Sequence, residues 1–127
     1  MRYMLLVYSK ETDMAQMSQE QKDEIIAGHW AVMEGTAKQG IFRGAEPLQP
    51  TATATTVRIH DGKPQITDGP FAETKEQLAG YYILDCKDLD EAISWASKIP
   101  TACKGSDGCI EIRPLIAIPQ PTQTTVA

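Results

Sequence analysis

Residues 3–8, Tyr-Met-Leu-Leu-Val-Tyr, are apolar on both alternating faces, with Tyr3, Leu5 and Val7 on one side and Met4, Leu6 and Tyr8 on the other. Successive side chains of a strand point to opposite sides of the sheet. The run therefore predicts a strand covered on both faces and central in its sheet. It is too short to cross a bilayer, which takes ~20 apolar residues, and no small-residue cleavage site follows it as in a signal peptide. The chain is accordingly expected to be soluble and cytoplasmic, with no membrane partner.

After a polar stretch at 9–17, expected to be a loop, Ser18 and Gln21 have capping-box spacing and predict a helix start. Ile26, His29, Met33 and Ala37 then recur at steps of three and four and predict one helical stripe. Gly28 and Gly35 weaken that helix by up to ~1 kcal/mol each relative to Ala, so tertiary packing must hold it, or something approaches it closely. Gly40 is placed to end it. Residues 41–48 read as a short irregular strand, broken by Gly44 and Pro47 and suited to an edge or a bulge. Thr53–His60, Asp61-Gly62 and Pro64–Thr67 predict a hairpin. Gly80–Cys86 reads as a further strand. Asp88 and Glu91 again have capping-box spacing, ahead of an apolar stripe at Leu89, Ala92, Ile93, Ala96 and Ile99 that Pro100 stops. Cys109–Leu115 reads as the last strand, and the residues after Pro119 as a mobile tail.

The order β-α-β-β-(β)-β-α-β predicts an α+β fold: a ferredoxin-like split arrangement with an added β-hairpin, two helices on one face of a mostly antiparallel sheet. One domain over 1–118 is expected, followed by a tail over 119–127. The doubly apolar first strand requires a cover on the face without helices. A second copy of the chain meets that need, predicting a homodimer of the dimeric α+β barrel type.

Composition narrows the function classes. The formal charge of −5 and the scattering of Lys and Arg give no basic footprint, so no nucleic-acid partner is expected. Three cysteines with no CxxC pair and two histidines in all predict reduced thiols and no structural metal site. No Walker loop, GxGxxG, HExxH or Gly-x-Ser-x-Gly occurs, and no cofactor is expected.

The segment 68–82, Asp-Gly-Pro-Phe-Ala-Glu-Thr-Lys-Glu-Gln-Leu-Ala-Gly-Tyr-Tyr, resembles the signature of the YCII-related, DGPF-type proteins. Tyr3-Met4-Leu5-Leu6, Asp88-Leu89-Asp90-Glu91-Ala92 and Ile110-Glu111-Ile112-Arg113-Pro114 are similar to the same family. The resemblance implies the dimeric ferredoxin-like fold. It also implies a functional link to sigma factors, beside whose genes such proteins are often encoded. The broader superfamily includes enzymes, one type eliminating chloride from an aromatic ring, with a proposed His–Asp pair near a cleft. His29 matches the helix histidine of that pair. The acid that should follow shortly has no clear counterpart, Glu34 being the nearest.

His29 and Asp68 are the acid/base candidates. The first could shuttle a proton or be a core-edge histidine bonded to backbone. The second could be a base in a cleft or could build the DGPF turn by accepting backbone N–H bonds. Glu73 could rim a pocket or lie on a solvated face, and Arg113 could bind an anionic substrate or form a surface ion pair. Phe71 reads as a core or dimer anchor. Tyr3, Tyr81 and Tyr82 read as core or interface. Cys86 and Cys109 read as buried, Cys103 as an exposed thiol beside Lys104. Two functions follow: a cofactor-independent enzyme for proton transfer, isomerisation or elimination of an unknown small molecule, or a non-catalytic ligand- or partner-binding module linked to sigma-factor regulation.

Overall fold

The computed structural model describes residues 1–103 and 108–119. The elements run β1 (Arg2–Ser9), α1 (Glu11–Met14), α2 (Gln19–Lys38), β2 (Phe42–Pro47), a 3-10 turn (Thr51–Thr53), β3 (Thr55–His60), β4 (Lys63–Asp68), β5 (Gln77–Asp85), α3 (Leu89–Ala96) and β6 (Cys109–Pro114). Of the tail expected over 119–127 all but residue 119 lies outside the described residues, as does the Lys104 neighbour of Cys103.

The main sheet has the order β2-β5-β1-β6, and every pairing is antiparallel. Strands β1 and β2, joined through α2, are separated by β5, while β5 and β6, joined through α3, are separated by β1. That double split is the ferredoxin-like arrangement, and it makes β1 central as its sequence requires. Strands β3 and β4 form a separate two-stranded ribbon. Its turn holds Asp61 at φ 51° and Gly62 at φ 75°, the pair of positive angles that a tight two-residue hairpin needs.

The core lies between the helices and one sheet face: Tyr3, Leu5 and Val7 of β1 and Tyr82 and Leu84 of β5 meet Val32 of α2 and Ala92, Trp95 and Ala96 of α3. Full burial of a leucine such as Leu5 contributes about 1.5–3 kcal/mol. On the opposite face Met4, Leu6, Tyr8, Tyr81 and Ile83 are only half-buried.

Both long helices start where the capping residues stand. The Ser18 hydroxyl accepts from the Gln21 N–H at 3.1 Å, and the Gln21 side chain accepts from the Ser18 N–H at 2.9 Å. Asp88 accepts from the Glu91 N–H, whereas Glu91 reaches back one residue further, to the Lys87 N–H.

Tertiary packing alters the expected stripes. On α2 the fully buried positions are Val32 and Thr36, while Ile26 and Ala37 are exposed. Thr36 tolerates burial because its hydroxyl donates to the Val32 and Met33 carbonyls at 2.8 and 3.1 Å. On α3 Leu89 and Ile93 are exposed and Trp95 takes their place in the core. The Trp95 ring lies on Gly35 of α2: a Cβ there would stand 2.7 Å from Trp95 Cη2. The glycine is the close-approach point its cost to the helix implied. Residues 11–14 form a helical turn where a loop is expected, held by Glu11, whose N–H donates to Gln77 and whose carboxylate accepts from Thr51 N–H and Oγ1.

Candidate functional site

Helix α2 covers the sheet incompletely, leaving a cleft of about 320 Å³ between its first half, the end of β1, β2 and the start of β5. Small residues keep the floor low. Ala45 and Gly80 face the helix side by register with Tyr82 and Val7 and carry little or no side chain. The walls are mostly apolar, from Met14, Ile25, Trp30, Met33, Pro47 and Leu48. Three polar side chains reach it, Ser9, His29 and Tyr82, whereas Glu46 is exposed and pairs with Tyr81 on the opposite face of the sheet.

His29 and Tyr82 form the centre. His29 Nδ1 is 2.6 Å from Tyr82 Oη, and the rings stack with centroids 5.9 Å apart and planes 17° from parallel. Burial pushes the His29 imidazole below its usual pKa and lifts the Tyr82 phenol to about 12, because the low-dielectric surroundings disfavour each charged form. Both groups are therefore neutral near pH 7. No buried side-chain nitrogen or oxygen among the described residues lacks a partner. Among the described residues His29 Nε2 makes no hydrogen bond, so that nitrogen is not sealed from solvent, and His29 lines the cleft. Ser9 is committed elsewhere, its hydroxyl accepting from the Ala102 N–H at 3.0 Å.

The other expected site residues stand apart from this centre. Asp68, at the end of β4 opposite Thr55, is exposed and does not line the cleft. Its carboxylate makes no hydrogen bond among the described residues. The DGPF turn is instead built by Gly69, whose φ of 94° suits a residue without a side chain. The Gly69 N–H donates to the Ala54 carbonyl at 2.7 Å, and its own carbonyl accepts from Thr56 Oγ1 at 2.8 Å. The expected convergence of His29 and Asp68 gives way, within one chain, to His29 and Tyr82. Glu73 is exposed in the loop before β5, and Arg113 is exposed on β6 opposite Met4, on the sheet face away from the cleft. Phe71 is 78% exposed and outside the core. Two cysteine readings are reversed: Cys103 is buried, its sulfur accepting from the Lys10 N–H, and Cys109 is exposed. Cys86 is buried as expected.

Tyr82 is the residue whose partnership sequence reasoning missed. The sequence reads it only as a core or interface aromatic, but its phenol meets an imidazole 53 positions away, and only the crossing of α2 over β5 decides that. Among the described residues, no group of three or more His, Cys, Asp or Glu side chains is placed to hold a metal ion, and no helix is long and apolar enough to cross a membrane.

The profile of the YCII-related domain matches residues 1–119. An uncharacterised protein of Rhizobium meliloti (strain 1021) is 38% identical over 115 residues, covering 91% of this chain and 92% of that protein. The chain belongs to the YCII-related domain family.

Proposed function

We propose that the cleft is a small-molecule site in which His29 acts as acid/base in a cofactor-independent proton transfer, isomerisation or elimination. The observation that carries this reading is the His29–Tyr82 pair set into an apolar cleft with Nε2 accessible. A titratable group with an environment-shifted pKa, in an apolar pocket, is the usual form of a binding or catalytic site. Tyr82 positions the ring. When its hydroxyl donates to Nδ1, Nε2 carries the proton and donates to a ligand; when Nδ1–H donates to Oη, Nε2 offers a lone pair that takes one. The two states are tautomers of the neutral imidazole. Exchanging them takes a proton off one ring nitrogen, to ligand or water, and returns one to the other, while the phenol turns to match and neither group is left charged.

A thermal-shift screen of neutral, basic and acidic metabolites tests the reading on wild type, His29→Ala, Tyr82→Phe and Asp68→Asn. A ligand at ~100 times its dissociation constant stabilises the fold by ~2.7 kcal/mol. The expected hit is lost in His29→Ala, weakened in Tyr82→Phe and kept in Asp68→Asn. A hit that survives His29→Ala, or that Asp68→Asn alone removes, refutes it.

The half-buried apolar face of Met4, Leu6, Tyr8, Tyr81 and Ile83 supports a homodimer joined sheet to sheet, in a reducing cytosol that suits the three free cysteines. Sedimentation equilibrium at micromolar concentration is expected to give about twice the 13.9 kDa chain mass; a stable monomer refutes the pairing. One observation favours a second, non-catalytic reading. Val57 and Ile66 are cross-strand partners on the hairpin and, with Ile59 and Phe71, are each more than half exposed, as a partner-binding arm would be. The sigma-factor link implied by the family resemblance supplies the partner class. Binding to a purified sigma factor that Ile59→Lys and Ile66→Lys abolish would support this reading; unchanged binding by those variants, or none by wild type, would refute it.

A further inference from the structure

The cleft lies toward the end of the sheet at which β1 stops at Ser9, β5 starts at Gln77 and β2 stops at Pro47. Strand β5 runs between the other two, so the connections that follow β1 and β2 stand on either side of its first residue. Glu11 bridges them. Its N–H donates to Gln77 Oε1 at 2.9 Å, and its two carboxylate oxygens accept from the Thr51 N–H at 2.7 Å and from Thr51 Oγ1 at 2.8 Å. Each connection also carries a residue that lines the cleft, Met14 in the first and Leu48 in the second. The turn to which Glu11 and Met14 belong has four residues and buries none of them. A helix so short does not hold itself in water, and packing does little to hold it here. Its start is anchored on the other side, where the Lys10 N–H is shared between the Ala102 carbonyl and the Cys103 sulfur, each at 3.3 Å. The Glu11 carboxylate carries it across toward β2, through hydrogen bonds of the stronger, carboxylate kind.

Building on the reading of the cleft as a small-molecule site, we infer that Glu11 is a positioning residue for it: by clamping the β1–α2 connection to Thr51 it holds Met14 in the cleft wall and keeps that end of the cleft closed around its ligand. Glu11 does not itself line the cleft; it acts through Met14 and Leu48. His29 and Tyr82 stand on α2 and β5 and meet each other directly, so the clamp sets how tightly a ligand is held and leaves their pairing untouched.

Titration of the whole chain with benzyl alcohol, a neutral probe of one ring, tests the clamp. The readout is the ¹³C-methyl signals of Met14, on the clamped connection, and Met33, on α2, because both residues line the cleft. In wild type both signals are expected to move with one dissociation constant. Without the clamp the connection keeps its place only part of the time, and apparent affinity falls by that fraction. Losing two hydrogen bonds to a carboxylate is expected to weaken binding in Glu11→Ala by about tenfold. The Met14 signal should also collapse toward that of a free methionine, while the Met33 and His29 ring signals of the unliganded protein stay in place. Glu11→Gln should restore affinity to within about twofold of wild type, since its amide oxygen can accept from the Thr51 N–H and its NH₂ can donate to Thr51 Oγ1. Thr51→Val is the milder variant should Glu11→Ala fail to fold; it removes one of the two bonds and should weaken binding by about threefold, with no further loss when added to Glu11→Ala. Wild-type affinity in Glu11→Ala or Thr51→Val, or a Glu11→Gln protein as weak as Glu11→Ala, overturns the inference and leaves the cleft standing as a ligand site. If benzyl alcohol moves neither methionine of wild type, the reading of the cleft as a small-molecule site fails, and this inference with it.

Discussion

Replacing Gly35 by Ala tests the packing that fixes α2 over the sheet. The added Cβ would stand 2.7 Å from Trp95 Cη2 and 3.1 Å from Cζ3, whereas carbon atoms at rest lie ~3.5–4.0 Å apart. The ring or the helix must yield by about 1 Å. Trp95 is 8% exposed and packed among Ala92, Ala96 and Ile99, so it has little room to move. Overpacking of this kind costs about 1–3 kcal/mol. The better helix propensity of Ala offsets about 1 kcal/mol, leaving a net loss of up to about 2 kcal/mol. With unfolding entropy of about 2.1 cal/mol/K per residue, a chain of 127 residues loses about 4 °C of Tm per kcal/mol. Thermal unfolding followed by circular dichroism should therefore show Gly35→Ala melting up to about 8 °C below wild type. In a Trp95→Phe background, which removes both contacting atoms, the same substitution should instead stabilise by up to about 1 kcal/mol. A Gly35→Ala protein more stable than wild type, or a penalty that persists beside Phe, refutes the reasoning.

Other expectations follow from single interactions. Because burial lowers the His29 pKa in the folded protein, the unfolded chain takes up its proton first as pH falls. The His29 contribution is thus complete above the unfolded value of about 6.5 and is lost as pH drops through the folded value; urea titrations between pH 7 and 5 should show wild type losing more stability than His29→Asn. Tyr82→Phe removes the partner of Nδ1 and should cost about 1 kcal/mol, read as a drop of about 4 °C, with the His29 ring signals displaced in the NMR spectrum. Ser18→Ala breaks the reciprocal cap of α2 and should cost about 0.5–2 kcal/mol in urea unfolding; Asp68→Asn, which removes no hydrogen bond among the described residues, should melt within about 2 °C of wild type.

Much of the fold was legible because it follows from local periodicity and local chemistry. The doubly apolar Tyr3–Tyr8 run required a central strand, Ser18 with Gln21 marked a helix start, Asp61-Gly62 forced a hairpin, and Gly35 signalled a close approach. Each of these is decided by backbone sterics, capping or alternation within a few residues. The tertiary structure decided what approaches what. Which stripe of α2 is buried, Val32 and Thr36 rather than Ile26 and Ala37, depends on the angle at which the helix crosses the sheet, and Trp95 displaced Leu89 and Ile93 because Gly35 opens a space for its ring. The site belongs to the same class. Asp68 looked chemically suited to meet His29, but it ends a hairpin whose strands pair only with each other. Tyr82, placed by its alternation in the packing set, is carried under α2 to within hydrogen-bond reach of the imidazole. Sequence spacing encodes which face a residue occupies; the contact between faces 53 positions apart is set by how the layers stack, and it is that stacking which made a histidine on a helix and a tyrosine on a strand into one site.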